Sequence, residues 1–168
     1  MSRFNIIVRS FSGYCLSRNV ERRIHDFASR SARGFADGEE FSMGSRRMKW
    51  LYTPHVPHGW DCGVLFDLST ETLPCGDLFT QPGANMPPVT ETEVLTASEG
   101  MRGMMDYYAH ARSTSAILER LASLHPSMLA CQHGSAYRGD GAALIRELAT
   151  TIESGNAKLS EPPRVVTA

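Results

Sequence analysis

The stretch CGVLFDLSTETLPCGDLF, from Cys62 to Phe79, constrains this chain most. Its first part, GVLFDL, is apolar apart from one aspartate. STET follows, a hydroxyl-rich run suited to a reversal, and LPCGD closes on a glycine–aspartate pair. Apolar run, turn and apolar run predict a β-hairpin buried on one side, so the chain must build a sheet. Upstream, residues 39–43 and 46–52 predict two more strands split by a turn at Gly44-Ser45.

The rest of the chain mixes strand and helix. Residues 81–97 form a proline-rich crossing loop. A long helical segment then starts with Ser98 as a cap and ends at His125-Pro126, with Gly103 and the STS run as points where it can divide in two. Met101, Met104, Met105 and Tyr108 share one stripe, and Ile117, Leu118 and Leu121 share another; both are expected to pack into the core. Met128 to Cys131 predicts a short buried strand leading into a polar loop. A closing helix starts near Asp140 and is expected to end at Gly155. The fold class expected is therefore α/β (α+β), with a mixed sheet. Residues 1–33 form a basic segment in which Val20, Ile24 and Phe27 have helical spacing and FNIIV suits a short strand. Residues 34–155 carry the domain, and 156–168 are expected to be a mobile tail.

Composition narrows the function. The chain has 168 residues, enough for one domain with a core, and its 42% apolar and 21% charged residues are those of a soluble globular protein. A net charge of −1 argues against a nucleic-acid partner. No apolar run approaches the ~18 residues of a membrane span. Cys15, Cys62, Cys75 and Cys131 form no C-x-x-C pair, so free thiols in a reducing, cytoplasmic setting are expected, with no zinc site built from cysteine pairs.

Six histidines are present. His25, His110 and His125 stand alone and are read as surface or capping residues. His55 and His58, in TPHVPHGWDCG, follow one predicted strand; His133 follows another, and Asp77 follows a third. Strand ends that each deliver an imidazole or a carboxylate into a loop are a common way for a sheet to build a site. Imidazole with carboxylate suits zinc, iron or manganese. Scattered loop histidines of no function are the competing reading, and spacing alone does not separate the two.

The segments ADGEEFSMGSRRMKWLYTPHVPHGWDCGVLFDLSTETLPCGDLFTQPG and MLACQHGSAYRGDG resemble the C-terminal half of a metallo-β-lactamase-fold protein, in the subgroup of the β-lactamase-like domain of flavodiiron and oxygen-binding diiron proteins. The resemblance spans roughly residues 31–155. It implies half of an αββα sandwich with helices on one face of the sheet. It implies His55 as a metal ligand from the H-x-P pattern, Asp77 as a bridging ligand and His133 as the last ligand. His58 and Asp61 would lie beside the ligands or on the substrate side.

The family's first motif, His-x-His-x-Asp-His or His-x-Glu-x-Asp-His, has no counterpart here. The expectation is a half-domain, from a truncated product or a misplaced start, holding at most one divalent ion, zinc or iron. The family reading is a metal-dependent hydrolase acting on an unknown small molecule, with weak or no activity alone. A diiron domain linked to oxygen or nitric oxide is one alternative. A non-catalytic half-domain that needs a homodimer partner or a complementing half is the other.

Overall fold

The computed structural model describes residues 34–59 and 61–159. The strand and helix expected within residues 1–33, His25, and the last part of the expected tail lie outside these. The described residues form a seven-stranded sheet: β1 (Glu40–Met43), β2 (Arg46–Tyr52), β3 (Gly63–Asp67), β4 (Thr72–Gly76), β5 (Val89–Thr90), β6 (Met128–Cys131) and β7 (Ala136–Arg138). Three helices accompany it: α1 (Leu95–Met105), α2 (Thr114–Ala122) and α3 (Gly141–Leu159).

Spatial order in the sheet is β1-β2-β3-β4-β6-β7-β5. The first four strands form an antiparallel meander, with Trp50 opposite Leu65 and Asp67 opposite Thr72. β6 lies parallel to β4, and β5 lies parallel to β7. A parallel neighbour needs a crossover, and the path from β4 to β6 runs through β5, α1 and α2.

Alternation sorts the strand residues between two faces. On one face Leu51, Phe66, Leu73 and Leu129 join the helices in the main core. Ile117, Leu118, Leu121 and Ala122 of α2 meet Ala142, Ile145, Leu148 and Ile152 of α3 there, each set at helical spacing. Leu73, Leu118, Leu121, Leu129, Ile145 and Leu148 are wholly buried, each worth about 1.5–3 kcal/mol over an exposed position. On the other face Met48, Trp50 and Leu65 form a separate cluster with Phe35, Phe41 and Met43. Gly63 is needed at that cluster's edge, because a Cβ there would lie 2.1 Å from the Trp50 ring.

Several expectations change in the folded chain. The helix expected from Ser98 begins at Leu95, and Ser98 is a buried residue within it rather than a cap. Its first turn is held instead by Glu93, whose carboxylate accepts the Thr96 N–H at 3.1 Å. The break falls at Asp106, in left-handed conformation (φ 44°), rather than at Gly103. The methionine stripe packs only in part: Tyr108 is buried in the main core and Met101 is half-buried, but Met104 is 75% exposed and Met105 61%. Asp140 caps α3 by accepting the Ala143 N–H at 2.9 Å, but the helix runs through Gly155 to Leu159. The crossing loop contains β5, and the polar loop after β6 contains β7.

Candidate metal centre

Register brings three loops to one edge of the sheet. β3 starts beside the end of β2, with Gly63 opposite Tyr52, and runs antiparallel to β4. β4 and β6 are parallel and end together, with Gly76 opposite Cys131. Residues 53–62, 77–88 and 132–135 therefore leave the same edge, where parallel strands commonly place their ligands.

Asp77 follows Gly76, whose left-handed backbone (φ 58°) turns the chain out of β4. The Asp77 carbonyl accepts hydrogen bonds from Thr80 Oγ1 at 3.0 Å and the Tyr107 hydroxyl at 3.2 Å. Its carboxylate Oδ2 lies 2.7 Å from His58 Nε2. Its other oxygen, Oδ1, is buried without a hydrogen-bond partner and lies 3.5 Å from His133 Nε2. Buried carboxylate oxygens are rarely left so, and such an atom calls for an explanation.

His58 is held from both sides. Nδ1 is 3.2 Å from the Tyr107 carbonyl, and Nε2 faces Asp77. Both partners are acceptors, and a neutral imidazole carries only one N–H. Tyr107 thus fixes His58 through its carbonyl and Asp77 through its hydroxyl; burial pushes that phenol above its usual range, so it remains a donor.

Loop 53–62 folds back on itself. Thr53 N–H donates to Cys62 O at 2.8 Å, and Val56 N–H to Thr53 O at 3.0 Å. Ala109 N–H donates to Pro57 O at 2.6 Å, which ties the loop to the segment after α1. The turn places His55 in the left-handed region (φ 62°) and exposes it. Asp61 Oδ1 accepts the Tyr52 hydroxyl at 2.7 Å, a bond that anchors the loop to β2.

His133 is delivered by a stapled loop. Buried Gln81 donates its side-chain amide to Phe79 O at 3.1 Å and Ser135 O at 3.0 Å, and accepts the Ser135 N–H at 3.1 Å. Its own N–H donates to the His133 carbonyl at 3.1 Å. Gly134 (φ 97°) passes so close that a Cβ would lie 2.6 Å from Gln81 Cβ. Beneath the two loops, Cys75 Sγ lies 3.9 Å from Cys131 Sγ, and that contact together with burial pushes the Cys75 thiol well above its usual range.

The structure thus brings His58, Asp77 and His133 together and leaves His55 at the exposed turn. The set His55, Asp77 and His133 is not gathered, and among the described residues no group of three or more His, Cys, Asp or Glu is disposed to hold a metal ion. Sequence reasoning missed Tyr107 and Gln81. Tyr107 reads as part of a helical run, and Gln81 as a loop residue before Pro-Gly, so neither carries a local signal.

No family model matches the sequence. No curated relative matches it. Solved structures do. A flavo di-iron protein from Thermotoga maritima superposes with a TM-score of 0.63 at 19% identity, over 81% of this chain and 35% of that one. Rubredoxin oxygen:oxidoreductase from Desulfovibrio gigas gives 0.58 at 20% identity, over 81% and 35%. The apo state of a chemotaxis sensor from T. denticola gives 0.62 at 22% identity, over 84% and 62%. The chain spans about 35% of the length of the flavodiiron chains it matches. The likeness is one of fold: a mixed seven-stranded sheet with helices on one face, half of a metallo-β-lactamase-type sandwich.

Proposed function

We propose that this chain is a metal-binding half-domain of the flavodiiron type, which presents one wall of a metal site and has little or no catalytic activity alone. The observation that carries the reading is Asp77 Oδ1, buried without a hydrogen-bond partner and 3.5 Å from His133 Nε2. Two donor atoms at that separation suit one first-row ion with bonds of about 2.0–2.2 Å. A dinuclear centre is not supported by these residues: His58 is committed to Asp77 Oδ2, and among the described residues no group of three or more His, Cys, Asp or Glu is disposed to hold a metal ion. Asp77 and His133 would hold a single ion, and His58 would orient the carboxylate, as outer partners commonly orient ligands. The donor set of one carboxylate and one imidazole accepts zinc or iron. The names of the structural neighbours favour iron.

An ion held there supplies a Lewis acid, and iron adds a one-electron couple. The chain's own groups prepare the place for it. Tyr107 and Thr80 fix the backbone of Asp77, Gln81 fixes that of His133, and Tyr107 aims His58. Asp61 is the remaining carboxylate of the loops that was a candidate on the substrate side, and its Oδ1 serves Tyr52. A hydrolytic reading needs a proton acceptor beside the metal's water. This commitment of Asp61 favours binding over hydrolysis in the isolated chain. Anaerobic titration with ferrous ion is the test. Binding of no more than one ion per chain, lost in Asp77→Ala, is expected; no binding at millimolar ion would overturn the reading.

A further inference from the structure

Cys75 and Cys131 occupy neighbouring parallel strands, two residues before Asp77 and two residues before His133. Register breaks between Pro74 and Gly76, so Cys75 is the extra residue of a bulge, with Pro74 opposite Ala130 and Gly76 opposite Cys131. Both thiols lie on the helix-covered face, Cys75 within the core and Cys131 packed against it. Their sulfurs are 3.9 Å apart and both are free. Cys75 is 1% exposed, whereas Cys131 is half-buried and within reach of a small solute.

We propose that Cys75 and Cys131 form a reversible dithiol–disulfide pair, a peroxide-sensitive modification site beneath the loops that carry Asp77 and His133. Exposure sets the order of events. Hydrogen peroxide oxidises the Cys131 thiol to a sulfenic acid and is itself reduced to water. The Cys75 thiol then attacks the Cys131 sulfur and gives up its proton in that step, which is slow because burial holds it in the thiol form; the S–S bond forms, the S–O bond breaks, and the hydroxyl leaves as a second water with that proton. A dithiol returns the pair to its reduced state by exchange. A disulfide holds its sulfurs about 2.05 Å apart, so closure draws the strand ends together from the present 3.9 Å contact. Asp77 and His133 ride on those ends, and their 3.5 Å separation changes with it. That last consequence rests on the metal-site reading; the disulfide itself does not.

The experiment treats the full reduced chain with hydrogen peroxide, removes the excess, and maps it by digestion and mass spectrometry. A peptide linked through Cys75 and Cys131 is expected. It should vanish on dithiothreitol treatment and in Cys131→Ser, and persist in Cys62→Ser. A linkage through other cysteines, or oxidation of Cys131 that stops short of a linked peptide, overturns the proposal. Zinc, which is redox-inert, then serves as the metal probe. The oxidised chain is expected to bind it at least tenfold more weakly than the reduced chain, with no such change in peroxide-treated Cys131→Ser. Equal affinity with the linked peptide present overturns the coupling between the pair and the site. A reduced chain that binds no zinc counts against the metal-site reading, and the peptide map decides the disulfide independently.

Discussion

Two carboxylates mark opposite edges of the same sheet. Asp67 ends β3, and Asp77 follows β4 at the other edge. Asp67 is fully buried and fully answered: Arg46 pairs with one oxygen, and the Ser69 N–H donates to the other at 2.8 Å. Burial alone would raise its carboxyl, but Arg46, the Ser69 amide and Thr70 hold it below the usual range. Asp77 has one oxygen on His58 and the other buried without a hydrogen-bond partner before His133. The first arrangement is closed by groups that belong to the fold. The second is left open by the fold, at the place where the proposed ion would sit.

The comparison makes separable predictions. Asp67→Ala should cost about 2–3 kcal/mol of stability in urea unfolding, short of the ~3–5 of a fully buried pair because Arg46 stays 39% exposed on its side chain. Its metal binding should be unchanged; a cost below ~0.5 kcal/mol would break the contrast. The pH dependence has a definite sign. A carboxyl lowered by folding stabilises above its unfolded value of about 3.9, and that stabilisation is lost as pH falls through the lower folded value. The stability gap between the wild type and Asp67→Asn should therefore be steady from about pH 7 to 5 and shrink below about pH 4.

Asp77→Ala should do the reverse. Ferrous-ion affinity should fall at least ~100-fold, about 2.7 kcal/mol, while stability changes by less than ~1 kcal/mol. Loss of stability with metal binding intact would make Asp77 a second structural carboxylate. His58→Gln should weaken binding by about 10–100-fold without abolishing it, the usual range for a residue that orients a ligand. A total loss would make His58 itself a ligand. His55→Ala, at the exposed turn, should leave affinity within about twofold; a larger loss would return it to the site. Least of all, Met104→Ser on the 75% exposed end of α1 should stay within about 0.5 kcal/mol in stability.

Much of the sheet was legible because its strands announce themselves locally. RRMKWLY places Met48 and Trp50 on one face and Leu51 on the other, and the hairpin 63–76 shows its turn as STET. Met128 to Cys131 lies where its apolar run predicts. β5 and β7 were hidden because each is two or three residues long and exists through pairing with the other and with β6. Met104 and Met105 misled because a helical period shows that a face is apolar, not that anything stands opposite all of it.

The sequence by itself determined which residues can form strands and helices, and that loops at three strand ends carry imidazole and carboxylate. Those properties are local, set by side-chain period and by turn chemistry over a few residues. Tertiary structure alone decided that His58 meets Asp77 while His55 stays in solvent, that Tyr107 and Gln81 hold the cluster, and that Cys75 faces Cys131. Each of those depends on where a loop closes against a distant segment. A backbone reversal at His55 and a bulge at Cys75 are enough to redirect the side chains that follow, and no short window of sequence contains both partners of such a contact.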